Sequence, residues 1–147
     1  MSVRNITATL DRNVIAIDTA ESIGSVTSFV VSPAVDRIDK IQIGGRRKHA
    51  MFANWSDIES FGDDAVMVTS AEAPSESDDD RDIATAKGPL DIIGARILDT
   101  AGFDRGTVTD VGFDDSTGDI VSITNGSEDF AAATVHSLGT YAVVVDR

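Results

Sequence analysis

The residues Gly24-Ser25-Val26-Thr27-Ser28-Phe29-Val30-Val31 return 82 positions later as Gly106-Thr107-Val108-Thr109-Asp110-Val111-Gly112-Phe113. Such a repeat constrains the fold more than any single motif, because each copy must be able to form the same local structure. The same offset sets Ile38 on Ile120 and Ile41 on Ile123. Upstream, Ile17-Asp18-Thr19-Ala20 matches Leu98-Asp99-Thr100-Ala101 at an offset of 81, with one residue added near Gly102. Downstream, Ile58-Glu59-Ser60-Phe61-Gly62 matches Val135-His136-Ser137-Leu138-Gly139 at 77, and Ala65-Val66-Met67-Val68 matches Ala142-Val143-Val144-Val145 at the same 77. Four blocks in one order predict an internal duplication, with units over residues 8–70 and 89–147.

Between the units runs Glu72-Ala73-Pro74-Ser75-Glu76-Ser77-Asp78-Asp79-Asp80-Arg81-Asp82. It has no apolar periodicity, and so little surface to bury against its ordering entropy. Residues 71–88 are therefore expected to form a flexible acidic linker. Its triple aspartate has no preorganised geometry for a metal.

Inside each unit the apolar runs are short, β-branched and separated by turn residues, which predicts strands. Asp114-Asp115-Ser116-Thr117-Gly118 is a hairpin loop between two such runs, and Ser32-Pro33-Ala34-Val35-Asp36 is its counterpart with weaker turn chemistry. The spacing of Asp110, Asp114, Asp115 and Asp119 is not that of a calcium loop. A bulge between Val108 and Val111 would turn Val108, Val111 and Phe113 inward together. Ser56-Asp57-Ile58-Glu59 has the form of a capping box opening a short helical turn closed by Gly62, with Thr134 to Gly139 its match. The expected class is all-β: two small tandem barrels of five or six strands and one helical turn each.

The carrying residues Asp104-Arg105-Gly106-Thr107-Val108-Thr109-Asp110-Val111-Gly112-Phe113-Asp114 and Thr117-Gly118-Asp119-Ile120-Val121-Ser122-Ile123 resemble the PRC-barrel family, named for the H subunit of photosynthetic reaction centres. The second unit matches from Pro89 to Val145. The first, from about Leu10 to Val68, departs where Asp36 stands for the turn glycine and Ser28 for the aspartate. The resemblance implies assembly modules, such as the C-terminal domain of a ribosome maturation factor that docks on a ribosomal protein, or small archaeal cell-division proteins. It supplies no shared active-site residues.

Chemistry in the residues themselves is sparse. The chain has no cysteine, which excludes disulfides and thiolate sites. There is no Gly-x-Ser-x-Gly elbow and no glycine-rich nucleotide loop. The two histidines, His49 and His136, fall in a basic loop and in the expected helical turn. Neither a catalytic residue, nor a metal site, nor a cofactor is expected. A net charge of −13 opposes contact with nucleic acid and anionic membranes. No run approaches the roughly 20 apolar residues of a spanning helix, and the N-terminal segment lacks a signal-peptide run, so a cytoplasmic protein is expected.

One feature runs against the charge. Gly44-Gly45-Arg46-Arg47-Lys48-His49 falls where the offset drops from 82 to 77, so the first unit carries five residues that the second lacks. Either it is a solvated hairpin tip, or Arg46, Arg47, Lys48 and His49 form a docking loop. Trp55, the only tryptophan, packs a barrel if buried and makes a strong contact residue if exposed. The function expected is a non-catalytic adaptor that binds a protein partner, with a homodimer among the possible assemblies. The alternative is a ribosome- or RNA-associated factor docking through Arg46-Arg47-Lys48.

Overall fold

A computed structural model describes residues 2–44 and 50–147. Strand β1 (Val3–Asn5) and a single turn α1 (Ile6–Thr9) lead into β2 (Asn13–Ala16), β3 (Ser22–Val31), β4 (Ile38–Gly44) and β5 (Met51–Asn54). A 3-10 turn, Trp55–Asp57, then precedes β6 (Ile58–Phe61) and β7 (Val66–Val68). Helix α2 (Asp80–Lys87) follows. The chain continues through β8 (Arg96–Asp99), β9 (Asp104–Thr107), β10 (Asp110–Asp114), β11 (Ile120–Thr124) and β12 (Asp129–Ala131). A second 3-10 turn, Ala132–Thr134, precedes β13 (Val135–Leu138) and β14 (Val143–Val145). Strand dominates, as the short β-branched runs predict.

The strands form three sheets: β5-β4-β3-β2-β7-β6, β13-β14-β8-β9 and β1-β10-β11-β12. Each sheet ends in two edge strands that pair with no further strand among the described residues, so the ladders close no barrel. β2 runs parallel to β7 with Ile15 opposite Met67, and β8 runs parallel to β14 with Leu98 opposite Val144. This places Ile15, not Ile17, at the position of Leu98, an offset of 83 where the letter match indicated 81. The following turns differ in length. Ala16 N–H reaches Glu21 O, whereas Asp99 N–H reaches Phe103 O, so the first turn is the longer by one residue.

Val108, Val111 and Phe113 all point inward, each at most 1% exposed. Two interruptions accomplish this: the break between β9 and β10, and a register shift at Gly112/Phe113. The capping box expected at Ser56 to Glu59 is absent, and the matching turn at Thr134 to Gly139 is a strand for most of its length. Asn54 and Ala131 stand at the cap positions without a side-chain cap, and Ile58–Phe61 and Val135–Leu138 are strands paired to β7 and β14. The edge pairing of these residues outweighs the local Ser-x-x-Glu signal.

Residues 71–88 are not the structureless linker that their composition predicts. Asp79 caps α2, accepting from the N–H groups of Arg81 (2.9 Å) and Asp82 (3.2 Å). Asp80 and Asp82 stand in the first turn, Lys87 in the last, and Gly88 ends the helix at φ +110°. Asp82, 2% exposed, is satisfied by Ser77 Oγ at 2.6 Å and by the ammonium of Lys40 on β4. A buried face that is polar but fully partnered leaves no hydrophobic period to read.

The core is continuous across the chain. The ring of Phe113 lies 5.5 Å from that of Phe29 and 5.4 Å from that of Phe61. The two hairpin loops meet reciprocally: Ile38 N–H donates to Gly118 O (2.8 Å) and Ile120 N–H to Asp36 O (3.0 Å), with Arg37 bridged to Asp119. Arg4 and Ser2 add β1 to β10, so the N-terminal strand completes a sheet made otherwise from the C-terminal half.

Candidate functional site

Of the residues the sequence singles out, Arg46, Arg47, Lys48 and His49 lie outside the described residues. Trp55 is half-buried at the start of the first 3-10 turn. Its indole stacks on Phe61 at 5.4 Å and 16°, and presents an edge to Phe113 at 6.3 Å. On the far side it meets the turn at Gly118, where a Cβ would stand 2.8 Å from the ring. Glycine is required there twice over, by that contact and by φ +80°. The indole is thus a wedge between the edge strand β6 and the loop joining β10 to β11.

An open cleft of about 350 Å³ remains beside the wedge, lined by Trp55, Ile58, Glu59, Ser60, Phe61, Asp115 and Ser116. One wall is fixed by the N-terminal strand. Arg4 Nε donates to Asp115 Oδ2 at 2.7 Å, its Nη1 to Asp63 Oδ1 at 3.1 Å, and Asp115 N–H donates to Ser2 O at 2.9 Å. The hydrogen bond to Asp115 raises the Arg4 pKa above its ordinary value, so this guanidinium stays charged. Glu59 has no ion-pair partner among the described residues and is exposed.

Other candidate places are less assembled. A groove of about 270 Å³ lies between α2 and β5, lined by Ala50, Phe52, Ile83, Ala86 and Lys87 with Glu76 and Ser77. A cleft of about 290 Å³ contains Asp91, Arg96 and Tyr141, with the guanidinium 5.4 Å from the tyrosine ring. Burial raises the pKa of Asp91 there, although Ile93 N–H donates to it. His136 is exposed on β13 and meets Asp146 at 2.5 Å. Among the described residues, no three acid, histidine or cysteine side chains gather as a metal site. Among those residues also, no helix is long and apolar enough to cross a membrane.

The cleft at Trp55 joins the single tryptophan to the edge strand β6. Sequence reasoning reached Trp55 but missed Ser60, Phe61 and Asp115, because their meeting depends on the approach of two hairpins 50 residues apart in the chain. The glycine at 118, which the offset of 82 sets against Asp36, was the available signal. Compared with family models and with curated proteins, the sequence matches none.

Proposed function

We propose that the protein is a non-catalytic adaptor that binds a protein partner, built from two units of PRC-barrel type over residues 8–70 and 89–147. Support for the two units comes from the strand pairings. In residues 13–68, β2 pairs with β3 and β7, β3 with β4, β4 with β5, and β6 with β7. In residues 96–145, β8 pairs with β9 and β14, β10 with β11, β11 with β12, and β13 with β14. The observation that carries the adaptor reading is the cleft at Trp55, where an aromatic ring and an edge strand lie beside the polar rim of Glu59, Ser60, Asp115 and Ser116. That combination suits a polypeptide, which offers both side chains and backbone hydrogen bonds.

Affinity capture of the intact protein at physiological salt tests the reading. A reproducible protein partner whose binding changes little between 50 and 300 mM salt is the expected result. Capture of RNA or ribosomes, released steeply by salt, would favour docking through Arg46, Arg47 and Lys48 instead.

A further inference from the structure

We infer that the free edge of β6 beside Trp55 is a docking groove for an extended, basic segment of a partner protein, which adds to the sheet as a short strand. This rests on the adaptor reading above and specifies its site. The observation behind it is internal to the molecule, because the corresponding edge in the other half is already occupied. There Leu138 N–H, on β13, donates outward to Pro33 O at 2.9 Å, so the loop after β3 seals that edge.

The positions that would make the same contact on β6 are Phe61 and Asp115, at the repeat offsets of 77 and 82. Phe61 N–H has the required direction. Gly62 N–H bonds to Ala65 O across the hairpin, as Gly139 N–H does to Ala142 O. The next pair outward, Phe61 opposite Val66, is therefore of the non-hydrogen-bonded kind, and its backbone groups point away from β7. Outside the strand ladder, Phe61 N–H donates to no backbone acceptor among the described residues. Asp115 does not supply one, because its turn is tied to Ser2 and Arg4.

What holds the edge open is a difference of one side chain. The first residue of the 3-10 turn is Trp55 in one half and Ala132 in the other. The indole, stacked on Phe61 and pressed against Gly118, separates the strand from the loop, leaving the cleft. A methyl group at Ala132 has no such reach, and the loop at Pro33 comes down onto Leu138. The space left by the wedge has the shape of the segment that fills its counterpart: an extended stretch with a carbonyl for Phe61 N–H and an apolar side chain for Trp55 and Ile58. The charge is set by Glu59, an exposed carboxylate on the cleft wall without a described cation. A lysine or arginine in the incoming segment complements it.

The test uses the intact chain and two capped synthetic peptides. One is Val-Ser-Pro-Ala-Val-Asp-Arg, which reproduces residues 31–37; in the other, arginine replaces the aspartate. Trp55 is the only tryptophan, so its emission reports the cleft directly. The expected result is a saturable emission change with the arginine peptide, at least threefold tighter than with its parent. Exchange of the Phe61 amide should slow at least tenfold, and Glu59→Gln should abolish the preference for arginine. No saturation by either peptide up to millimolar concentration, or saturation without protection of Phe61, overturns the groove. A captured partner whose footprint avoids β6 also overturns it while leaving the adaptor reading intact. Peptide binding at Phe61 without any captured partner supports the groove and counts against the adaptor reading alone.

Discussion

The two halves share an order of strand pairing, yet one makes a single six-stranded sheet and the other makes two sheets. The difference lies in one strand. β3 runs unbroken for ten residues and pairs with β2 at one end and β4 at the other, crossing its sharp turn by a register shift at Val26/Ser28. The same place in the second half, Val108-Thr109, is where the strand is interrupted, so β9 stays with β8 and β10 goes with β11. A bulge bends a strand while keeping its ladder, whereas a break lets the two pieces turn independently. β1 occupies the edge of β10 opposite β11, whereas the corresponding end of β3 has no strand on that side among the described residues. The second half thus takes a strand from the opposite end of the chain, and the two halves are expected to unfold together.

The largest loss should follow from removing the ring that both halves use. Phe113→Ala deletes a fully buried side chain in contact with Phe29, Phe61 and Trp55. A loss of about 3–5 kcal/mol is expected. Urea unfolding should remain a single transition at a lower midpoint. Two separated transitions, with only residues 89–147 weakened, would show that the halves fold independently.

Next in size is the polar tie between α2 and the first half. Lys40→Ala leaves the Asp82 carboxylate buried without its cation, and Ser77 alone cannot neutralise it. A loss of about 3 kcal/mol is expected. Amide exchange in α2 should rise more than in β13 and β14. In the double variant with Asp82→Asn, much of the loss should return, since no buried charge remains.

How much of this could be read in advance depends on where the determinants lie. The short β-branched runs are legible because a strand writes its burial locally. Hairpin loops at Asp36 and Gly118 are legible because turn chemistry is local too. The register of Ile15 against Leu98 was not, since the parallel pairing with β7 and β14 fixes it from about 50 residues away. Helix α2 was missed because its buried residues are Asp82 and Thr85, which no hydrophobic pattern reveals. For the candidate site, Trp55 was visible as a rare aromatic residue. The outward direction of the Phe61 N–H was not, because the pairing with Val66 that sets it is a property of the fold rather than of a residue.

The turn contacts distinguish the two halves at smaller cost. Gly118→Ala places a methyl group against the indole of Trp55 and at a backbone angle that suits glycine, with an expected loss of about 2–3 kcal/mol. Asp36, which the offset of 82 sets against Gly118, has no positive φ and hydrogen-bonds to Ser32. Asp36→Ala should lose only about 1 kcal/mol. Thermal denaturation of both variants checks the asymmetry, and equal losses would mean that Trp55 is not a wedge.

The smallest expected effect is electrostatic and separates Asp99 from Ala16, its counterpart in the β2–β7 and β8–β14 pairings. Asp99 Oδ1 accepts from Phe103 N–H at 3.1 Å and Ala101 N–H at 2.9 Å, while Oδ2 faces Arg105. These donors, Phe103 first, hold its pKa below the ordinary carboxylate value. Because the folded-state pKa is the lower one, the ionised form stabilises the fold above the unfolded value of about 3.9, and that contribution is lost as pH falls through the folded pKa. Asp99→Asn keeps an acceptor for both backbone N–H groups and removes only the charge. The variant should melt slightly below the parent at pH 7, and the gap should narrow steadily from about pH 4 downward. Ala16 has nothing to titrate, so replacing it with serine should leave any melting difference independent of pH over the same range. A gap between Asp99→Asn and the parent that persists unchanged to pH 2.5 would show that the carboxylate charge does not stabilise this turn, and that its geometry alone distinguishes the two halves here.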